Sequence, residues 1–170
     1  MLKILKNRFL KGVVTRNIEP GVSAEIEEAG SQLRCLVIKK FGRSLHIREV
    51  DSGSCGACES EIISASNPVY DLSRFGINFV ASPRHADALL VTGPVSKNML
   101  IALMKTFEAM PSPKFVITCG DCALNGGLFK DSYYIEGGVN KVLPVTVHIP
   151  GCPPEPLRII RTLLVFLKKE

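Results

Sequence analysis

From residue 45 onward, the apolar and polar positions divide the chain into alternating strand and helix signals. LHIREV (45–50) alternates apolar with polar side chains and predicts a strand. A glycine loop follows, then a short helix from about Glu59 to Ser66. INFVAS (77–82) predicts the next strand. ADALLVTG (86–93) is a continuous apolar run, the pattern of a strand buried on both faces. A helix from about Lys97 to Met110 stops at PSP and leads to the buried strand KFVITCG (114–120), and PVTVHIPG (144–151) gives another. PLRIIRTLLVFLKK predicts a last helix, with Pro156 in its first turn and a basic end that suits its dipole. Such alternation predicts an α/β fold with an open, largely parallel sheet and flanking helices.

Upstream the pattern differs. Leu2, Leu5 and Phe9 recur at helical spacing among Lys3, Lys6, Arg8 and Lys11, so the first dozen residues read as a basic amphipathic helix. Such a helix suits docking on a membrane surface or a partner subunit. Residues 17–32, NIEPGVSAEIEEAGSQ, are polar with glycines and a proline and read as a loosely structured arm. The expected organisation is an N-terminal helix and docking arm over 1–42 and an α/β domain over 43–170. Cys35, in the apolar run LRCLVIKKF, reads as a buried structural thiol.

At 170 residues and 46% hydrophobic, the chain buries enough surface to fold without covalent staples. The first residues show neither a secretory h-region nor twin arginines, and LLVFL is too short to span a bilayer. In a reducing compartment, six cysteines are metal ligands or redox groups rather than a disulfide framework. The net charge of +5 is modest, and with 6% aromatic residues not interleaved with the basic ones, nucleic acid is not an expected partner.

The cysteines fall where chemistry is expected. Cys55 follows the first strand, Cys119 and Cys122 end or follow the strand at 114–120, and Cys152 follows the strand at 144–151. Open α/β sheets bind ligands outside the carboxyl ends of their strands, so these loops converge on one edge. A zinc site would use the pairs Cys55/Cys58 and Cys119/Cys122, but their separation is far longer than in a compact zinc ribbon, and Cys152 is left over. A thioredoxin-like dithiol needs only Cys55/Cys58 and again wastes Cys152. A four-iron cluster needs four thiolates around a cube, which Cys55, Cys58, Cys122 and Cys152 supply. Cys119 ends a buried strand, so Cys122, beyond the turn, is the better ligand. Spacing favours the cluster over the zinc and dithiol readings without deciding among them.

Four ordered segments carry a more specific signal: SCGACESEI, SPRHADALLVTGPV, CGDCALNGGLF and IPGCPPEPLRII. Over about residues 43–167 the chain resembles the small, cluster-bearing subunit of membrane-bound (group 4) nickel–iron hydrogenases, with formate hydrogenlyase and energy-converting hydrogenases the nearest types. The same family includes the 20 kDa (B) subunit of respiratory complex I. The resemblance implies a flavodoxin-like α/β fold and one proximal 4Fe–4S cluster on Cys55, Cys58, Cys122 and Cys152. Complex I members carry adjacent cysteines at the first motif, whereas Gly56 and Ala57 intervene here, as in hydrogenases. His85 and Pro94 also favour the hydrogenase branch, although sulfur-reducing relatives share these motifs. The implied partners are a nickel–iron large subunit, a ferredoxin-like iron–sulfur subunit, and membrane-arm subunits near the N-terminal helix. The implied location is peripheral, on the cytoplasmic face of the cell membrane.

On this reading the chain catalyses nothing alone but passes electrons within an oxidoreductase complex. Glu61, three residues after Cys58, is the candidate proton relay; a first-turn carboxylate favoured by the helix dipole is the plainer account. Glu59 is the weaker candidate. Arg84 and His85 suit an ordinary surface pair as well as a subunit contact. His46 and His148 read as packed strand histidines, and Asp51 and Asp121 as turn formers.

Overall fold

The computed structural model describes Leu10 and residues 20–169. The amphipathic helix expected around Leu2, Leu5 and Phe9 lies outside the described residues.

In chain order the elements are α1 (Pro20–Phe41), β1 (Leu45–Asp51), α2 (Ala57–Ala65), β2 (Ile77–Phe79), β3 (Ala88–Thr92), β4 (Val95–Ser96), α3 (Lys97–Ala109), β5 (Phe115–Cys119), α4 (Asp121–Asn125), β6 (Ile135–Gly137), β7 (Val147–Ile149) and α5 (Pro156–Lys169). Five strands form one parallel sheet in the order β2-β1-β3-β5-β7. That order is the flavodoxin-like arrangement, in which the chain reverses its direction of winding between β1 and β3. β4 and β6 form a separate antiparallel pair.

Period-two alternation splits the core into two layers. Leu45, Ile47, Ile77, Ala88, Leu90, Ile117, Val147 and Ile149 face α1, α2 and α5. Val50, Leu89, Val91 and Val116 face the other way, against Leu103 of α3 and Val139 and Leu143. All five residues of β3 are buried, as its unbroken apolar run requires.

The segment read as a loose arm is a correction. From Pro20 it is helical, and α1 packs on α5 and the sheet through Ile26, Leu33 and Val37. The buried stripe is narrow, and the glutamates around it lie on the solvent side. Gly30 lies against the ring of Phe75 with no room for a Cβ, so a residue that looks like a helix breaker serves a close approach. Glu25 pairs with Arg161, and Lys168 donates to Gln32 at 2.8 Å, tying the two helices at their surface. Cys35 is a second correction: it is exposed, because Leu33 and Val37 occupy the inward positions of that turn.

Candidate metal centre

The register brings four strand ends level. Asp51 pairs with Thr92, Thr92 with Cys119, and Cys119 with Ile149. The loops leaving β1, β3, β5 and β7 therefore start side by side at the carboxyl edge, and hydrogen bonds fix each one. Asp51 Oδ1 accepts the backbone N–H groups of Gly53 and Ser54 at 2.8 and 2.7 Å, forming the turn that presents Cys55. The buried hydroxyl of Ser52 lies 2.8, 2.9 and 3.2 Å from the carbonyl oxygens of Thr92, Gly93 and Pro94, joining the β1 loop to the β3 loop. Gly120 donates to Ile149 O and Asp121 to Gly151 O, each at 2.9 Å, while Gly151 N–H returns to Asp121 Oδ1 at 3.1 Å. That reciprocal pair clamps the loops of Cys122 and Cys152 together.

Cys55, Cys58, Cys122 and Cys152 all line one recess, with Ser54, Gly93, Pro94, Asp121, Phe129 and Gly151 as its other main walls. All four are free thiols. Among the described residues, no three His, Cys, Asp or Glu side chains gather tightly enough to hold a single metal ion.

Glycine shapes this recess at two positions. A Cβ on Gly120 (φ +87°) would stand 2.6 Å from Cys58 Sγ, and one on Gly127 (φ +49°) would stand 2.7 Å from Cys122 Sγ. Both the backbone conformation and the close approach require glycine there. The donor set, four soft thiols from three loops walled by bare backbone and Phe129, fits an iron–sulfur group.

Metal ligation requires thiolates, and the thiols are not equivalent. Cys119 is fully buried on the sheet and outside the recess. Its S–H donates to Cys58, which holds Cys58 below the ordinary thiol value. The same bond, with burial, pushes Cys119 far above its own ordinary value. Cys119 thus stands as a neighbour of the Cys58 sulfur, outside the lining of the recess. Burial raises Cys122.

Of the other residues singled out, Glu61 lies half-buried on α2, one turn beyond Cys58. His46 Nδ1 faces His85 O at 3.2 Å. Asp121 and His148 do more than form a turn and pack: His148 Nε2 lies 3.6 Å from Asp121 Oδ1 and its Nδ1 lies 3.0 Å from Thr118 Oγ1. Sequence reasoning missed Ser52, the Asp121 clamp and a carboxylate pair. Both oxygens of Glu59 are buried without a hydrogen-bond partner, and burial, then the charge of Glu59, raises the carboxyl of Glu49 on the facing strand.

A carboxyl-edge thiol recess on a flavodoxin-like sheet is an arrangement that suits an iron–sulfur subunit of a redox complex. The chain belongs to the family described as NADH ubiquinone oxidoreductase, 20 Kd subunit, whose model matches residues 55–166. It is 42% identical over 135 residues to formate hydrogenlyase subunit 7 of Escherichia coli K12, covering 79% of this chain. It spans about half of that relative, 53% of its length. Identity is 44% over 131 residues, 77% of this chain and 78% of the relative, with the probable membrane-bound hydrogenase subunit mbhJ of Pyrococcus furiosus. Among solved structures, a chain of the membrane-bound sulfane sulfur reductase, an archaeal respiratory membrane complex, superposes with a TM-score of 0.63 at 35% identity, over 75% of this chain and 72% of that one. These relatives are subunits of oxidoreductase complexes. No helix among the described residues is long and apolar enough to cross a membrane.

Proposed function

We propose that this chain is the electron-transfer subunit of a membrane-bound, formate hydrogenlyase-like nickel–iron hydrogenase complex. It holds one 4Fe–4S cluster next to the active site of the large subunit. The observation that carries this reading is the convergence of Cys55, Cys58, Cys122 and Cys152 on one recess, together with the similarity to the hydrogenase subunits. When bound, the group supplies one-electron transfer at a potential set by its ligands, sulfur hydrogen bonds and burial.

The residues of this chain do the rest. Cys119 lies beside Cys58, Ser52 and Asp121 hold the loops in register, and Gly120 and Gly127 leave space at the sulfurs. Phe129 helps to wall the recess. The partners are a nickel–iron large subunit over this edge, a ferredoxin-like iron–sulfur subunit, and membrane-arm subunits near the N-terminus. The complex sits on the cytoplasmic face of the membrane, with this chain peripheral. Glu61 is the proposed proton-relay residue, one helical turn from Cys58.

A sulfur-reducing complex is the second reading, favoured by the superposition on the sulfane sulfur reductase chain. Nickel content of the co-purified large subunit separates the two: nickel supports the hydrogenase, and a nickel-free large subunit supports the second reading. The test of the centre is low-temperature EPR with iron and zinc analysis on the anaerobically purified chain and its partner. A reduced 4Fe–4S signal with about four irons per chain, lost in Cys152→Ala and kept in Cys119→Ala, is expected. Bound zinc without iron sinks the assignment.

A further inference from the structure

Cys119 is the one cysteine of the carboxyl edge that the cluster reading leaves without a task. It ends β5 with no exposed surface and packs in the layer that faces α1, α2 and α5. A buried cysteine serves by default as a small apolar residue. What lies over this one sets it apart. Gly120, the next residue, leaves the space in which Cys58 Sγ sits, 2.6 Å from where a Cβ would stand. Cys58 packs on the same core layer, and its sulfur is in hydrogen-bonding contact with the sulfur of Cys119. Cys55, Cys122 and Cys152 line the recess with Cys58 but make no such contact with it.

We propose that Cys58 and Cys119 form a reversible disulfide in the chain before its cluster is loaded, a redox lock on the ligand set. The inference rests on the ligand assignment above. The two sulfurs differ in access, and that orders the chemistry. Cys58 is half-buried and opens on the recess, whereas Cys119 is sealed. A peroxide therefore meets Cys58 first. The Cys58 thiolate attacks one oxygen, the O–O bond breaks, and hydroxide leaves, giving a sulfenic acid. The Cys119 thiol then attacks that sulfur. The S–S bond forms as the S–O bond breaks, and the hydroxyl leaves as water with the Cys119 proton. In sum, two thiols and one hydrogen peroxide give one disulfide and two waters. Two electrons from a dithiol reductant reverse the lock by exchange.

The pair has two consequences. With Cys58 tied to the end of β5, Cys55, Cys122 and Cys152 alone remain on the recess, and the ligand set is incomplete. The lock also halts oxidation of Cys58 at a step that a reductant undoes, since an unresolved sulfenic acid goes on to sulfinic and sulfonic acids. A thiol sealed from solvent suits the resolving role, because it stays reduced until its neighbour is oxidised. The competing partner is Cys55, which shares the C-x-x-C segment with Cys58 and is exposed. The contact favours Cys119, against which Cys58 already lies.

The experiment uses the full chain, stripped of metal by a chelator under dithiothreitol, freed of both, and treated with equimolar hydrogen peroxide. Acid quenching, alkylation of free thiols in urea and non-reducing peptide mass spectrometry then locate the bonds. The expected product is a peptide pair joined through Cys58 and Cys119. Reconstitution with iron and sulfide, read by EPR, is lost in this product and restored by dithiothreitol. Cys119→Ala lacks the link, reconstitutes like wild type when kept reduced, and recovers less iron uptake than wild type after peroxide and dithiothreitol. A wild-type map that joins Cys55 to Cys58, or leaves Cys119 free while Cys58 is oxidised, overturns the proposal and leaves the cluster reading intact. That map is read on wild type, so a variant that fails to fold does not alter it. A reduced wild-type chain that takes up no 4Fe–4S cluster, whatever its peptide map, defeats the cluster reading and the lock on it.

Discussion

Gly120 lies so close to Cys58 that a single added carbon would stand 2.6 Å from the sulfur. The contact joins the loop after β5 to the first turn of α2, with Gly120 in a left-handed conformation at φ +87°. Gly120→Ala therefore meets strain and collision at once. Backbone strain alone is expected to cost about 1–3 kcal/mol. The displacement of Cys58 should lower iron content further than global stability. Thermal unfolding beside iron analysis checks this, and an alanine variant that loads iron as well as wild type would contradict it.

The Ser52 hydroxyl holds the β1 and β3 loops together from a fully buried position. Removing it takes the one hydroxyl donor from the Gly93 and Pro94 carbonyls, while Thr92 O keeps the Ser52 backbone N–H at 3.0 Å. Ser52→Ala is expected to lower the unfolding free energy by roughly 1–2 kcal/mol, read as a shift in the urea midpoint at unchanged slope. Ser52→Thr, which keeps the donor, should recover part of the loss.

At the opposite end of β1, Arg43 grips Asp87 with two bonds of 3.0 and 2.7 Å, and the same carboxylate accepts the His46 N–H at 2.9 Å. Asp87 is largely buried while Arg43 is half exposed, so solvent weakens the ion pair more than the backbone bond. Asp87→Ala should cost roughly 1–3 kcal/mol and Arg43→Ala less than about 1 kcal/mol. Equal losses in chemical denaturation would refute that ranking.

Glu49 sets a pH dependence. Burial first, then the charge of Glu59, raises its carboxyl above the ordinary value. The folded chain thus holds this proton more tightly than the unfolded chain does. The stability this provides is present below the unfolded value and lost as pH rises through the raised folded value. Glu49→Gln should therefore stabilise the protein at pH 7, with the gain vanishing near pH 4. Urea midpoints at both values test it, and destabilisation at pH 7 would show that the ionised form has a partner.

The sequence made the sheet legible because β1 alternates apolar with polar positions while β3 and β5 are written as apolar runs, with glycine or proline close by. The four recess cysteines were legible for a related reason: strand ends and loop starts can be read from the same punctuation. α1 was not, since its inward stripe is thin and Gly30 breaks it with a residue that looks like a stop until Phe75 is placed against it. The same error buried Cys35 on paper: in a one-sided helix, an apolar run says little about which members face in. The clamp and the His148 network depend on Thr118 pairing with His148, a register no local pattern contains.

The strand order also sets a timetable for making the protein. Two of the thiols follow β1, the first strand of the sheet to be made, but the last follows β7, an edge strand and the final one to leave the ribosome. Until β7 docks on β5, Gly151 has no Asp121 to hold and the recess lacks a wall. A half-made chain thus presents three of the four recess thiols and an open side. On the proposed iron–sulfur reading, loading the metal would then be a quality check on the finished sheet, since an iron donor that arrives early finds no complete site to fill.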